Sequence, residues 1–442
     1  MNIKMKICLR KVLERMNEYF EEQLVPFWSE RCIDRKNGGY LVDFDKDGIF
    51  KNTDEKYLVT QTRVLYGLSL FCKYFKNDAK YKKYAECGYN FLAKYFWDYK
   101  NYGWIWKTDN KGTSLDRGKV VYGQSFALYA LCEYYLISGN KEILAFAEKT
   151  FELLQIHCSD NLYGGYYENF TENWELEEPG YAGGDRKSLD VHMHLLEAYT
   201  KLYECTKKEL HRRKLLETIE LIFDRMVHKK YFCGLNQFNI KFENIPPIAI
   251  KRTWNADRKT DTAKVKDIDG IRTTSYGHNL ELVWLTLKAF EILKIKPSRY
   301  TPILEELANH SIRYGLDRKY GGMFRDGPYN GKAMVLDKEW WQQSESLVGA
   351  LYSYELTHDD KFLDAFINIW EFVDSKMINK KAGEWYPLLD RAGGIKLSDL
   401  GNPWKASYHT GRSMVECINK LTKILNNGTG RADAQMRGGG IQ

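Results

Sequence analysis

The sequence predicts an all-α fold, a closed α/α barrel of six inner and six outer helices with short β-like hairpins in the loops at its mouth. Helical patterns with one apolar stripe alternate with helical patterns apolar on most sides, the signatures of an outer and an inner layer. A glycine-aromatic loop joins the two members of each pair. Six such pairs recur at spacings of roughly 60 to 85 residues, which is a repeat architecture rather than a string of domains. An open helical solenoid satisfies the same pattern; six units and long decorated loops favour closure.

The first outer helix carries Leu9, Leu13, Met16 and Phe20 on one face and is expected to end before Pro26. Asn37-Gly38-Gly39-Tyr40 and a short polar, β-like segment then lead to an apolar helix over residues 61–75. Further outer helices are expected near residues 81–97, 141–158, 211–227, 302–316 and 361–377. Each leads into a loop: Tyr102-Gly103-Trp104, Gly164-Gly165-Tyr166, residues 231–234, Gly321-Gly322 and Gly383-Glu384-Trp385. Inner helices then begin near Tyr122, Asp190, Tyr276, Trp341 and Tyr408. Residues 1–425 are therefore expected to form one barrel domain. Residues 426–442, with almost no bulky apolar side chains, are expected to be a disordered polar tail. The longest mouth loop, residues 231–273, contains Pro246-Pro247 and a charged run over 251–269. It reads as a solvated connection, with a mobile lid as the alternative.

At 442 residues, with 44% hydrophobic and 14% aromatic content, the chain has enough apolar surface for a large core. Its 66 basic and 59 acidic residues give a net charge of +7 that is spread along the chain, not gathered into the basic stripe that nucleic acid demands. Nine cysteines without a CxxC fit reduced thiols in a cytoplasmic protein. The N-terminus lacks the pattern of a signal peptide, and no run approaches the roughly 18 apolar residues of a membrane span. The expectation is a soluble cytoplasmic protein, monomer or homodimer, that engages a small molecule and neither nucleic acid nor membrane.

The polar residues suggest where that molecule goes. His192, His194, His278 and His409 all fall in the opening turns of inner helices, as do Arg63, Gln124, Trp341 and Glu345, so one rim gathers them. For any one histidine alone, a cap or a satisfied core residue is the plainer reading; the clustering argues against it. His278 is delivered by the stretch SYGHNLELVWL, and Glu281, three residues on, shares its helix face and is placed to orient the imidazole. His192 and His194 are two apart and cannot share a face, so one is expected inward and the other toward a neighbour. A metal is disfavoured because HxH diverges on a helix and no HExxH is present. There is no GxSxG elbow and no phosphate-binding glycine loop. What remains is proton transfer between histidines, without metal or cofactor, in a pocket whose aromatics suit a sugar ring.

At SYGHNLE, KSLDVHMHLLEAYT, YGQSFALYALCEYY, KEWWQQSESLVG and WKASYHTGR the chain resembles the N-acylglucosamine 2-epimerase and cellobiose 2-epimerase superfamily, over about residues 8 to 425. The resemblance implies a metal-free (α/α)6 barrel with His278 and His409 as the acid/base pair. It implies that Arg63 holds sugar oxygens and the developing anion, that Glu281 supports His278, and that His194 assists ring opening or binds a hydroxyl. His192, Gln124, Tyr122, Trp341, Glu345, Trp404 and Tyr276 are the expected substrate-binding residues. Asp190 and Val191 stand where the cellobiose-type pattern has asparagine and threonine, and Asn279 where it has aspartate after the histidine. The implied reaction inverts C2 of a reducing-end aldose, free or β-1,4-linked as in cellobiose. The alternatives are N-acylglucosamine epimerisation, aldose-ketose isomerisation between mannose and fructose, a glycoside hydrolase relying on two carboxylates, and a sugar-binding protein without catalysis.

Overall fold

The computed structural model describes the backbone of residues 1–253 and 273–437 and the side chains of those up to residue 426. Six apolar helices form the inner layer: Leu58–Tyr74, Val121–Ser138, Leu189–Thr206, Tyr276–Leu293, Trp340–Thr357 and Ser407–Arg437. Each packs on the next, and the last packs on the first, so the ring closes and the solenoid alternative falls. Outside them lie Ile3–Tyr19, Ala79–Phe91, Lys141–Leu153, Glu209–Leu221, Thr301–Gly315 and Lys361–Phe372. The layers differ in burial as the patterns required. The first inner helix buries an unbroken run from Leu58 to Cys72, whereas Lys141–Leu153 buries only Ile143, Ala147, Thr150, Phe151 and Leu153. The fold is an (α/α)6 barrel, and among the described residues no helix is long and apolar enough to cross a membrane.

One boundary differs from expectation. The first helix does not stop before Pro26: a π turn, Phe20–Leu24, leads directly into a helical segment Val25–Arg31. Proline near the start of the new segment falls where an intrahelical donor is not required. The same five-residue π turn ends four other outer helices, at Leu92–Phe96, Leu154–Cys158, Ile222–Met226 and Val373–Met377. At the other end of the chain, the backbone of residues 426–437 continues the last inner helix, where a disordered tail was expected. Its Ala, Gln and Arg residues are good helix formers despite the missing apolar stripe. The charged run over 251–269 lies, from residue 254 on, outside the described residues, and so does the lid alternative.

The hairpins at the mouth are two- and three-residue antiparallel strands, and most lead straight into an inner helix. A buried lysine two residues before the helix fixes each join by reaching an aspartate at the end of the preceding outer element: Lys56–Asp34 (2.8 Å), Lys119–Asp98 (2.8 Å), Lys187–Asp160 (2.6 Å) and Lys338–Asp317 (3.3 Å). Lys405 reaches Glu384 of the glycine-aromatic loop instead (2.9 Å), Asn379 standing at the aspartate's place. In the fourth unit Thr274 and His228 occupy the corresponding places.

A second device repeats one turn further on. The fourth residue of the inner helix reaches outward and grips the peptide of the glycine-aromatic loop. Gln61 bonds both polar groups of Tyr40 (2.8 Å each), Gln124 those of Trp104 (3.0 and 2.6 Å) and Gln343 those of Met323 (2.6 and 2.9 Å). His192 Nε2 accepts from the Tyr166 N–H (3.1 Å), and Asn279 Oδ1 from the Gly234 N–H (2.7 Å). These contacts explain the glycines. At Gly39, Gly165 and Gly322 the backbone has positive φ, and a Cβ would sit 2.9 Å from Gln61 Oε1, 2.7 Å from His192 Nε2 and 2.9 Å from Gln343 Oε1.

Candidate active site

The inner helices start at the hairpin end, and a cavity of about 560 Å³ opens there, within the range usual for small-molecule sites. Beneath it the sixth residues of the inner helices converge as a floor: Arg63, His194 and Glu281 line the cavity, and Phe126, Glu345 and Arg412 lie behind them. Arg63 lies over the Phe126 ring at 4.4 Å, Phe126 meets His194 at 4.7 Å, and Arg412 donates to Glu281 (3.0 Å) and Glu345 (2.8 Å). Arg412 also pairs with Glu197, so one buried guanidinium is set against three carboxylates. With Glu281 raised toward its neutral form and His194 charged beside Glu197, opposite charges offset part of the cost of taking these groups out of water.

Above this floor stand the two imidazoles. His278 packs on Trp341 with ring centroids 4.5 Å apart, and His409 lies 6.1 Å from the same indole. Both rings line the one cavity, together with Arg63, Tyr122, His194, Glu281 and Trp404. His409 Nδ1 faces Glu345 Oε1 at 2.7 Å. A carboxylate there fixes the hydrogen on Nδ1 and leaves Nε2 as the basic nitrogen. Arg63 donates to the Trp404 carbonyl (2.5 Å) and the Tyr122 hydroxyl (2.8 Å), while its buried Nε has no hydrogen-bond partner among the described residues.

Burial pushes both catalytic candidates toward the neutral imidazole. For His409 the guanidiniums of Arg63 and Arg412 add to it and hold the ring well below its ordinary value; for His278 the Asp190 carboxylate opposes it, leaving a smaller fall. His194 goes the other way. Burial opposes its charge, but hydrogen bonds to Asp190 and Glu197 hold it up at about 9. Glu281 is raised to about 8 by burial and by Glu345 beside it, and its Oε2 has no bonded partner among the described residues. Donor atoms of Glu281, Glu345 and His409 lie within 4.8 Å of one another, but the two carboxylates are already engaged by Arg412.

Several sequence expectations are corrected by this geometry. Gln124 and His192 do not line the cavity, since both face outward as loop clamps; of the two neighbouring histidines it is His194 that points in. Tyr276 lies behind the wall, against His310 and Gly327. Glu345 touches His409 rather than the cavity surface. Glu281 is bonded to Arg412 and not to His278, whose nearest carboxylate is Asp190, 3.6 Å from Nε2. Sequence reasoning missed Arg412, Glu197 and Asp190. Arg412 carried a signal, because it follows His409 by three residues and so shares its face.

The family model for N-acylglucosamine 2-epimerase (GlcNAc 2-epimerase) matches residues 39–413. The chain belongs to that family. It is an isomerase of the carbohydrate 2-epimerase type. A cellobiose 2-epimerase of Dictyoglomus turgidum is 29% identical over 94% of this chain and 100% of its own length. A D-mannose isomerase of Marinomonas mediterranea is 25% identical, covering 91% of this chain and 96% of its own. Among solved structures, the cellobiose 2-epimerase of Bacillus thermoamylovorans B4167 superposes with a TM-score of 0.82 at 28% identity, over 93% of this chain and 100% of that one.

Proposed function

We propose that this epimerase-family chain inverts C2 of a reducing-end aldose of glucose or mannose configuration, free or as a β-1,4-linked disaccharide such as cellobiose. The observation that carries the proposal is that His278 and His409 flank one indole, Trp341, on the wall of one cavity. In the open-chain sugar the C2 hydrogen is next to a carbonyl, so a neutral imidazole can remove it and leave an enediolate. Such proton transfer contributes on the order of 10²- to 10⁴-fold. Arg63, whose side chain lines the cavity, meets the charge that develops on oxygen, in a site where burial strengthens the interaction. The other imidazole returns a proton to the opposite face, and the two exchange roles with reaction direction. Trp341 and Trp404 offer apolar faces to the ring, and the charged His194 is placed to give a proton to the ring oxygen during opening.

A relative named D-mannose isomerase makes aldose-ketose isomerisation the second reading, because the same enediolate reprotonated at C1 gives a ketose. One experiment separates them: incubation with glucose, mannose, cellobiose and N-acetylglucosamine in deuterated water, with NMR of the products. Label at C2 of an epimer supports the proposal. Label at C1 of a ketose with none at C2 overturns it in favour of the isomerase. Full turnover by H278N and H409N would overturn both.

A further inference from the structure

The two imidazoles are chemically alike, yet inversion needs one to hold a proton while the other takes one. Their surroundings differ. His409 faces Glu345, but that oxygen is shared with Arg412, and Arg63 adds a second cation on the cavity side. At His278 an anion stands instead, with Asp190 Oδ1 3.6 Å from its Nε2. The same oxygen is 3.3 Å from Nε2 of His194. Asp190 is the second residue of its helix, and its partly exposed carboxylate lines the cavity.

We infer that Asp190 is a positioning residue that serves as common counter-ion to His194 and His278, and that it makes His278 the imidazole that carries the proton before substrate binds. The inference rests on the proposed pairing of His278 with His409. Among the described residues, the charged groups that act most on His278 come from three elements, and Arg63, Glu281, Arg325 and Glu339 line the same cavity. Asp190 and His194 approach from the third inner helix, Asp326 from a mouth hairpin and Glu345 from the fifth inner helix. Of these Asp190 is the largest anionic influence, and it also screens His278 from the charge on His194. At 3.6 Å the contact is wider than a hydrogen bond, so the carboxylate acts on the ring through its charge.

The test is a histidine NMR titration of ring-labelled protein, with resonances assigned through H278N, H194N and H409N, beside the pH profile of kcat. In the unaltered chain His278 should titrate above His409. In D190N the His278 titration should fall by about one unit or more, as expected on removal of an opposite charge at this distance. The alkaline limb of kcat should fall with it, while KM changes little. D190S, which removes the carboxylate without a new amide, should shift both in the same way. Unmoved titration of His278 in both variants overturns the inference, even if kcat drops, because a merely structural residue would lower activity at every pH alike. Normal turnover by H278N would instead refute the catalytic pairing and leave the titration result standing.

Discussion

Glu345 is the residue on which the basicity of His409 depends, and Glu345→Gln is the sharpest way to ask whether that is so. Three donors converge on its carboxylate: Trp284 Nε1 on Oε2 at 3.0 Å, and His409 Nδ1 and Arg412 Nη2 on Oε1 at 2.7 and 2.8 Å. Glutamine keeps the shape but supplies only one oxygen. If the amide oxygen stays toward His409 and Arg412, the NH2 group confronts the indole N–H; if it turns, it confronts the imidazole and favours the tautomer with Nδ1 unprotonated. Either way the charge-assisted bond to His409 is lost, about 1.5–3 kcal/mol for a hydrogen bond to a charged group. At 1.36 kcal/mol per factor of ten, kcat should drop about 10- to 150-fold, with KM close to its original value because Glu345 does not reach the cavity surface. The assay is steady-state kinetics on mannose together with the rate of C2 hydrogen exchange by NMR. A kcat within about twofold of the original enzyme, in a preparation where H409N is inactive, would refute the orienting role.

Glu281, pushed up to about 8, is expected to be neutral at pH 7, so E281Q should keep activity within about tenfold and flatten the decline above pH 8; a loss as deep as that of H409N would show that the carboxylate itself is needed. His194 has a folded-state value of about 9 against an ordinary 6.5, so its ion pairs stabilise the fold fully below pH 6.5 and lose effect as the pH rises through 9. Chemical denaturation should therefore show a decline on the order of 3 kcal/mol over that window which is absent in H194Q. Lys187 is buried against Asp160 and two carbonyls, so K187M should cost about 3–5 kcal/mol of stability by stranding the aspartate, with the activity of the surviving folded protein little changed. A melting temperature equal to that of the original chain would refute the clamp's structural role.

The barrel was legible in the sequence because burial imposes it directly: helices such as Val121–Ser138, apolar all round, can only lie inside, and the stripe on Lys141–Leu153 can only lie outside. The histidine pair was legible for a related reason, since polar groups in the first turn of a buried helix need a polar place to go. What the pattern did not convey is which way each one goes. Gln124 and His192 look as functional as His194 when taken singly, and their outward direction becomes visible only when the six helix starts are aligned. The fourth residues, Gln61, Gln124, His192, Asn279, Gln343 and Thr410, then form a column of polar side chains. Five of the six grip the peptide of the glycine-aromatic loop, and Thr410 reaches the Glu384 carboxylate instead (3.2 Å). The sixth residues, Arg63, Phe126, His194, Glu281, Glu345 and Arg412, vary in charge and shape: three line the cavity, and Phe126, Glu345 and Arg412 contact lining residues from behind. In a repeat protein, therefore, sameness across units marks the residues that build the barrel, and divergence at a fixed place marks those that act. Glu281 was assigned to His278 from spacing along one helix, but its partner Arg412 comes from another, and only closure of the ring brings the two within 3.0 Å.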